Sequence, residues 1–306
     1  MGVRRARPEA RSPMQKKSDR SIAPADIIAA AAKPGVLGSS AYAIPRILAT
    51  LYKPGVSVRE VAAVVAQEPG MTANVLRIAN SPLYGQSRTV ATVDHALLLL
   101  GLDAVRGIAA AACMRDAILR SSPSSPVDSA ALLRHSIATG VAASALARIA
   151  RPALASEAFV AGLLHDLGVS LLSRLAPEGV SAVVDAMRAD PSRDVAPLEE
   201  EHIGMGHARC AALLFEAWRL PAALVAGASH HDDPASAPAP DRTMASLVCL
   251  GNQLGIAENM GFACERTSSA TRSADAAAVL GVTDEHLAQV AVSLPSQVAA
   301  WHSAFK

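Results

Sequence analysis

From Ile44 onward, apolar positions recur in short blocks at helical spacing, each block closed by a glycine, a proline or a polar cluster, and no segment of any length alternates with the period of two that a strand shows. The pattern predicts helices over Pro24–Ala32, from Pro69 through Val75, Leu76 and Ile78 to Asn80, and over Asp94–Leu100 and Leu102–Leu119. It continues with Ser129–Ile149, Ser156–Leu167, Leu198–Trp218 and Thr243–Ile256, then shorter helical pieces at Ser273–Leu280 and Asp284–Phe305. Ser57 and Glu60 have capping-box spacing, and Val56 and Val61 flank them as a hydrophobic staple. Two segments interrupt the helices: Ser121–Pro126, with four serines and two prolines, and Asp232–Asp241, rich in proline and alanine.

The chain has 306 residues, enough to bury a large core, and 51% of them are apolar, many of them alanine. Aromatics are only 3%. The expectation is an all-α fold in two lobes. Its divisions are a basic tail at 1–22 expected to be disordered, an N-terminal helical lobe at 23–126, a second helical lobe at 127–260 and a helical extension at 261–306.

Net charge is +1, unevenly spread. Seven basic residues (Arg4, Arg5, Arg7, Arg11, Lys16, Lys17 and Arg20) face only Glu9 and Asp19 in the first twenty positions, so the tail carries +5 and the body −4. The slightly acidic body and scarce aromatics argue against a nucleic-acid partner. No uninterrupted apolar run reaches the roughly 18–20 residues of a membrane-spanning helix, so no membrane partner is expected. Cys113, Cys210, Cys249 and Cys264 form no CxxC pair; they predict buried thiols in a reducing, cytoplasmic compartment.

Candidate chemistry comes from histidine. His135 lies in a helix, His165-Asp166 ends an apolar one, His207 follows in Gly206-His-Ala, and His230-His231 closes the series. Imidazole nitrogen and carboxylate oxygen hold zinc, iron or manganese when separate helices converge. A carboxylate placed after Phe159, Val160, Leu163 and Leu164 carries a desolvation cost of about several kcal/mol unless a cation or donors compensate it. His135, His165, Asp166, His207, His230 and His231 are therefore the candidate metal ligands, favouring iron, zinc or nickel over magnesium. No catalytic residue is assigned. His95, His202, His286 and His302 have no such setting.

Several stretches together resemble the HDOD domain, a degenerate relative of the metal-dependent HD phosphohydrolases and of the HD-GYP phosphodiesterases that cleave cyclic di-GMP. They are Arg77-Ile-Ala-Asn-Ser-Pro-Leu-Tyr-Gly85, Asp94-His-Ala-Leu-Leu-Leu-Leu-Gly101, Ala161-Gly-Leu-Leu-His-Asp-Leu-Gly168 and Trp218-Arg-Leu-Pro221, spread from Ile44 to Leu254. The resemblance implies an α-helical signal-transduction module. It also implies one metal position at His135, His165 and Asp166, bridged by Asp166 to a second at His207, His230 and His231. Asn252 stands where the HD enzymes carry a further aspartate, Val169 where they carry lysine, and Asp-Asp-Pro follows His231 in place of Gly-Tyr-Pro. These departures favour a regulatory protein that binds other signalling proteins around a degenerate metal pocket. The alternative is a phosphohydrolase acting on a nucleotide or cyclic dinucleotide second messenger.

Overall fold

A computed structural model describes residues 21–33, 43–53, 55–86, 88–119, 125–263 and 270–304. The basic tail at 1–20, the linker residues 121–124 and Cys264 lie outside the described residues. Among those described, the chain forms sixteen α-helices and no strand. They are α1 Pro24–Ala32, α2 Ala43–Leu51, α3 Val58–Ala66, α4 Pro69–Ala79, α5 Val93–Leu100, α6 Leu102–Leu119, α7 Ser129–Ala150 and α8 Ala155–Leu164. Then follow α9 Leu167–Leu175, α10 Pro177–Ala189, α11 Val195–His202, α12 His207–Ala217, α13 Ala222–Ser229, α14 Arg242–Ala257, α15 Ala270–Leu280 and α16 Asp284–Ala304.

Local signals set many of these boundaries. Ser57 accepts from the Glu60 amide while the Glu60 carboxylate takes the Ser57 amide, starting α3. Thr92 caps α5 and Asp128 caps α7. Asn80, at the end of α4, receives the Val90 amide at 2.7 Å and donates to the Val90 carbonyl at 2.8 Å. One side chain thereby holds both the N–H and the C=O of Val90, which gives Asn80 a structural role at the end of α4.

The helix expected over Leu198–Trp218 is two helices: Gly204, at φ +81°, breaks it between α11 and α12. The helix expected over Ser156–Leu167 ends at Leu164, and the chain bends through His165-Asp166 before α9 begins.

The centre of the molecule is α7, buried along 14 of its residues. It meets α8 where Gly140 and Gly162 cross: a Cβ on Gly140 would fall 2.6 Å from the Phe159 carbonyl, so only hydrogen fits there. On another side α14 approaches so closely that a Cβ on Gly251 would lie 2.7 Å from the Thr139 carbonyl. α6 packs on α4, α7 and α8, and one continuous apolar core runs from Ile22 to Ala304. Helix α1, which the sequence-based division places in the first lobe, packs instead on α12, with the Ile22 amide donating to the Ile203 carbonyl at 2.9 Å.

Ser129–Ala150 and Pro152–Leu175 are long and apolar enough to cross a membrane, which contiguous runs alone did not reveal. Of the most apolar 18-residue stretch in each, 78% and 89% is buried inside the fold, where it forms part of the core. Cys113, Cys210 and Cys249 are buried thiols.

Candidate metal centre

Asp166 occupies the position from which an aspartate ordinarily caps a helix, immediately before α9, yet its side chain makes no cap bond. Both carboxylate oxygens are buried and neither receives a hydrogen bond from a described residue. What faces them is imidazole. His135 Nε2 and His165 Nε2 lie 3.6 and 3.1 Å from Oδ2, while His207 Nε2 and His231 Nε2 lie 3.5 and 3.6 Å from Oδ1. The imidazoles also pair with one another, at 3.3 Å between the Nε2 atoms of His135 and His165 and 3.2 Å between those of His207 and His231.

Each ring is held from behind. His165 Nδ1 donates to the Gly162 carbonyl at 2.6 Å and His231 Nδ1 to the Ala228 carbonyl at 2.8 Å. His207 Nδ1 donates to Glu199 at 2.8 Å, and His135 is in hydrogen-bonding contact with the Met260 backbone. A neutral ring whose Nδ1 donates outward presents a lone pair on Nε2. Such lone pairs therefore converge on a carboxylate that has no donor, an arrangement that repels itself unless cations or protons sit between.

The separations test the fit. Donors bound to zinc at about 2.0–2.1 Å in a tetrahedron stand about 3.3–3.4 Å from one another, and those measured here run from 3.1 to 3.6 Å. Two groups of ligand atoms result: His135, His165 and Asp166, and Asp166, His207 and His231. The donor set fits two adjacent cations sharing Asp166.

Electrostatics agree with this picture. Burial pushes the Asp166 carboxyl up, but His165, His207 and His231 outweigh it and hold the group well below the usual carboxylate range. Burial lowers His135 to about 4, keeping that ring neutral and able to bind, and burial also lowers His231. His207 is raised well above its ordinary value: burial opposes its charge, but Glu199, Asp232 and Asp166 prevail.

Five of the six sequence candidates thus come together. His230 does not join them; it ends α13 partly exposed, its Nδ1 3.0 Å from the Ser236 hydroxyl. Two residues that sequence reasoning passed over do join. Glu199 supports His207, and Asp232 places its oxygens 3.5 Å from both His207 Nε2 and His231 Nε2. Asn252 is buried on α14, and its amide oxygen has no hydrogen-bond donor among the described residues. One turn further on, Gly255 abuts the His135 ring.

Similar architectures are known. A crystal structure of an HDOD domain protein of unknown function from Geobacter sulfurreducens superimposes with a TM-score of 0.72 at 23% identity, covering 85% of this chain and 90% of that one. A candidate signal transduction protein from Marinobacter aquaeolei VT8 gives 0.70 at 25% identity, over 86% of this chain and 58% of that one. A candidate phosphohydrolase from Shewanella amazonensis SB2B gives 0.68 at 24%, over 87% and 93%. An uncharacterized protein of Treponema pallidum (strain Nichols) is 23% identical over 202 residues; the match takes in 65% of this chain but only 38% of that protein. The HDOD domain model matches residues 37–234, about two thirds of the sequence. With the helical fold and the converging histidines in place, that match establishes that the chain belongs to the HDOD family.

Proposed function

We propose that this protein is a regulatory module that acts by docking on another signalling protein, and that its metal centre staples the fold instead of turning over a substrate. Burial carries this reading. His135, His165 and Asp166 are 0% exposed, His231 1% and His207 5%, whereas a phosphohydrolase must admit both a phosphate and a water to its metals. The centre joins α7, the α8–α9 bend, α12 and the end of α13, so cations bound there would tie four parts of the fold together. None of its five donors lines either of two cavities found elsewhere, one of about 490 Å³ beside Tyr84, Arg148 and Trp301 and one of about 340 Å³ beside Arg242, Ser246 and Arg272. Val169, where the HD enzymes carry lysine, is 4% exposed in the core.

The surface supplies the complementary observation. Leu98 on α5 is 82% exposed and Leu99 46%, within the stretch that resembles the family's N-terminal motif. The fold makes little use of these leucines, and a partner protein would bury them. Likeness to a candidate signal transduction protein supports the same direction. Bound iron, zinc or nickel would supply positive charge to offset Asp166 and fix the imidazoles; nothing more is asked of it. One observation favours the phosphohydrolase alternative: the Asp232 side chain is 38% exposed, so the second position touches solvent.

Elemental analysis of protein purified without added metal, followed by assay of the metal-loaded protein on cyclic di-GMP, tests the reading. Retained transition metal, a lower melting temperature after chelation and no turnover are expected. Turnover that disappears in Asp166→Ala would overturn it.

A further inference from the structure

Beside the second group of ligand atoms, Asp166, His207 and His231, stands a further carboxylate. Asp232 Oδ2 lies 3.5 Å from His207 Nε2 and Oδ1 3.5 Å from His231 Nε2. These match the 3.5 and 3.6 Å that Asp166 Oδ1 keeps from the same two nitrogens. The two Asp166 separations fall near the edge of a tetrahedron drawn around a zinc-sized ion, about 3.3–3.4 Å; Asp232 meets the two nitrogens through different oxygens, so its carboxylate straddles them and a small rotation would bring one oxygen in as the remaining vertex. The Asp232 backbone is also tethered: Arg272, on α15, donates from Nη1 to the Asp232 carbonyl at 3.2 Å. Both α15 and Arg272 lie beyond the residues matched by the family model.

Charge explains why such a donor belongs there. Four imidazoles and one shared carboxylate leave two divalent ions with a single negative ligand, and Asn252 adds none. A second carboxylate at the second position would leave it with two imidazoles and two oxygens, a complete tetrahedral set for a borderline metal. His230 is turned toward Ser236 and leaves that coordination space to its neighbour two positions on.

We propose that Asp232 is the fourth ligand of the second metal position, replacing in anionic character the carboxylate missing at Asn252, and that Arg272 positions it. The proposal rests on the metal-centre reading above and assigns a ligand within it. It makes the second position the tighter of the two, because the first has only three donors.

The test uses the full-length chain, stripped with a chelator and titrated with Co²⁺, whose absorption reports tetrahedral coordination. Bound metal is counted by elemental analysis. Wild type is expected to hold two ions, and Asp232→Asn to lose one, together with the tetrahedral absorption of the tighter site. Melting of the metal-free variant should match that of metal-free wild type. Asp233→Asn, at the exposed neighbouring position, should keep both ions. Arg272→Ala should weaken the tighter site by about tenfold or more while keeping the count at saturation. An Asp232→Asn variant with the wild-type count and affinity overturns the proposal while leaving the metal centre standing. A wild-type chain that holds no ion overturns both. If wild type holds one ion, its loss in Asp232→Asn supports the assignment and its retention overturns it.

Discussion

A single oxygen of Glu199, Oε2, accepts two hydrogen bonds from His207, one from the backbone amide and one from ring Nδ1, each at 2.8 Å. The carboxylate thus starts α12, orients the ring and strengthens Nε2 as a base. Partners of this kind behind a ligand are worth about 10–100-fold in metal affinity. Glu199→Gln keeps an acceptor but removes the charge, and is expected to weaken binding within that range in a competition titration. Unchanged affinity would show that the contact serves only to begin the helix.

The same pair sets a pH dependence. Burial opposes a charge on His207, but Glu199, Asp232 and Asp166 raise its pKa well above the ordinary value. In the metal-free fold this raised pKa contributes stability that is complete below the unfolded value of about 6.5 and lost as pH rises through the raised one. A cation bound at Nε2 must expel that proton, so metal affinity should fall by about tenfold per pH unit below the raised pKa. Calorimetry in buffers of different ionisation enthalpy should detect about one proton released from His207. No release would mean that the ring is already neutral.

Gly168, in the first turn of α9, presses on the His207 carbonyl, and any Cβ there would collide with that backbone. Gly168→Ala should cost about 1–3 kcal/mol or more, because two helices must part and neither has a flexible side chain to yield. It should also reduce metal retention, since the same movement takes His207 away from Asp166. Gly206→Ala serves as the control: its added Cβ would meet only Glu199 Oε2, at 3.6 Å. Denaturant melts with elemental analysis would separate the two.

At the other end of the chain, the Ser57 amide, Lys53 and the Ser57 hydroxyl together lower Glu60 to about 2. A depressed carboxylate contributes stability that is present above its unfolded pKa of about 4.5 and lost as pH falls toward 2. Glu60→Gln should therefore lower the melting temperature at neutral pH and flatten its acid limb in that window, leaving the region near pH 2 little changed. An identical acid limb would rule out a contribution from the capping box.

Asn80→Ala removes both bonds to Val90 and should lower stability by about 1–2 kcal/mol, read from denaturant melts. Tyr84, four residues on, is only half-buried beside the 490 Å³ cleft. Its truncation should cost less than the ~3–5 kcal/mol of a fully buried ring.

The ordered histidines were legible because buried imidazole and carboxylate on apolar helices need partners, and five of the six candidates meet. Which member of His230-His231 turns inward was not legible: the chain bends as α13 ends, and adjacent side chains leave that bend in different directions. Glu199 sits in a Glu-Glu-Glu run that has the pattern of a solvated face, yet it is 4% exposed. Asp232 opens an Asp-Asp-Pro sequence with the composition of a turn. Both were hidden for the same reason, since local sequence reports exposure on average and only tertiary packing selects the exception. The breaks at Gly204 and at His165-Asp166 were similarly masked by helix-forming residues on both sides.

The docking of α1 on α12 gives the family boundaries a practical meaning. A fragment cut to residues 37–234 would begin after α1 and end before α14, α15 and α16. It would bare the face of α12 on which α1 packs, strip α7 of two of its principal neighbours and sever the Arg272 tether on Asp232. Such a fragment would expose core surface to solvent and be prone to aggregate, and a weak metal affinity measured on it would describe the cut, not the protein.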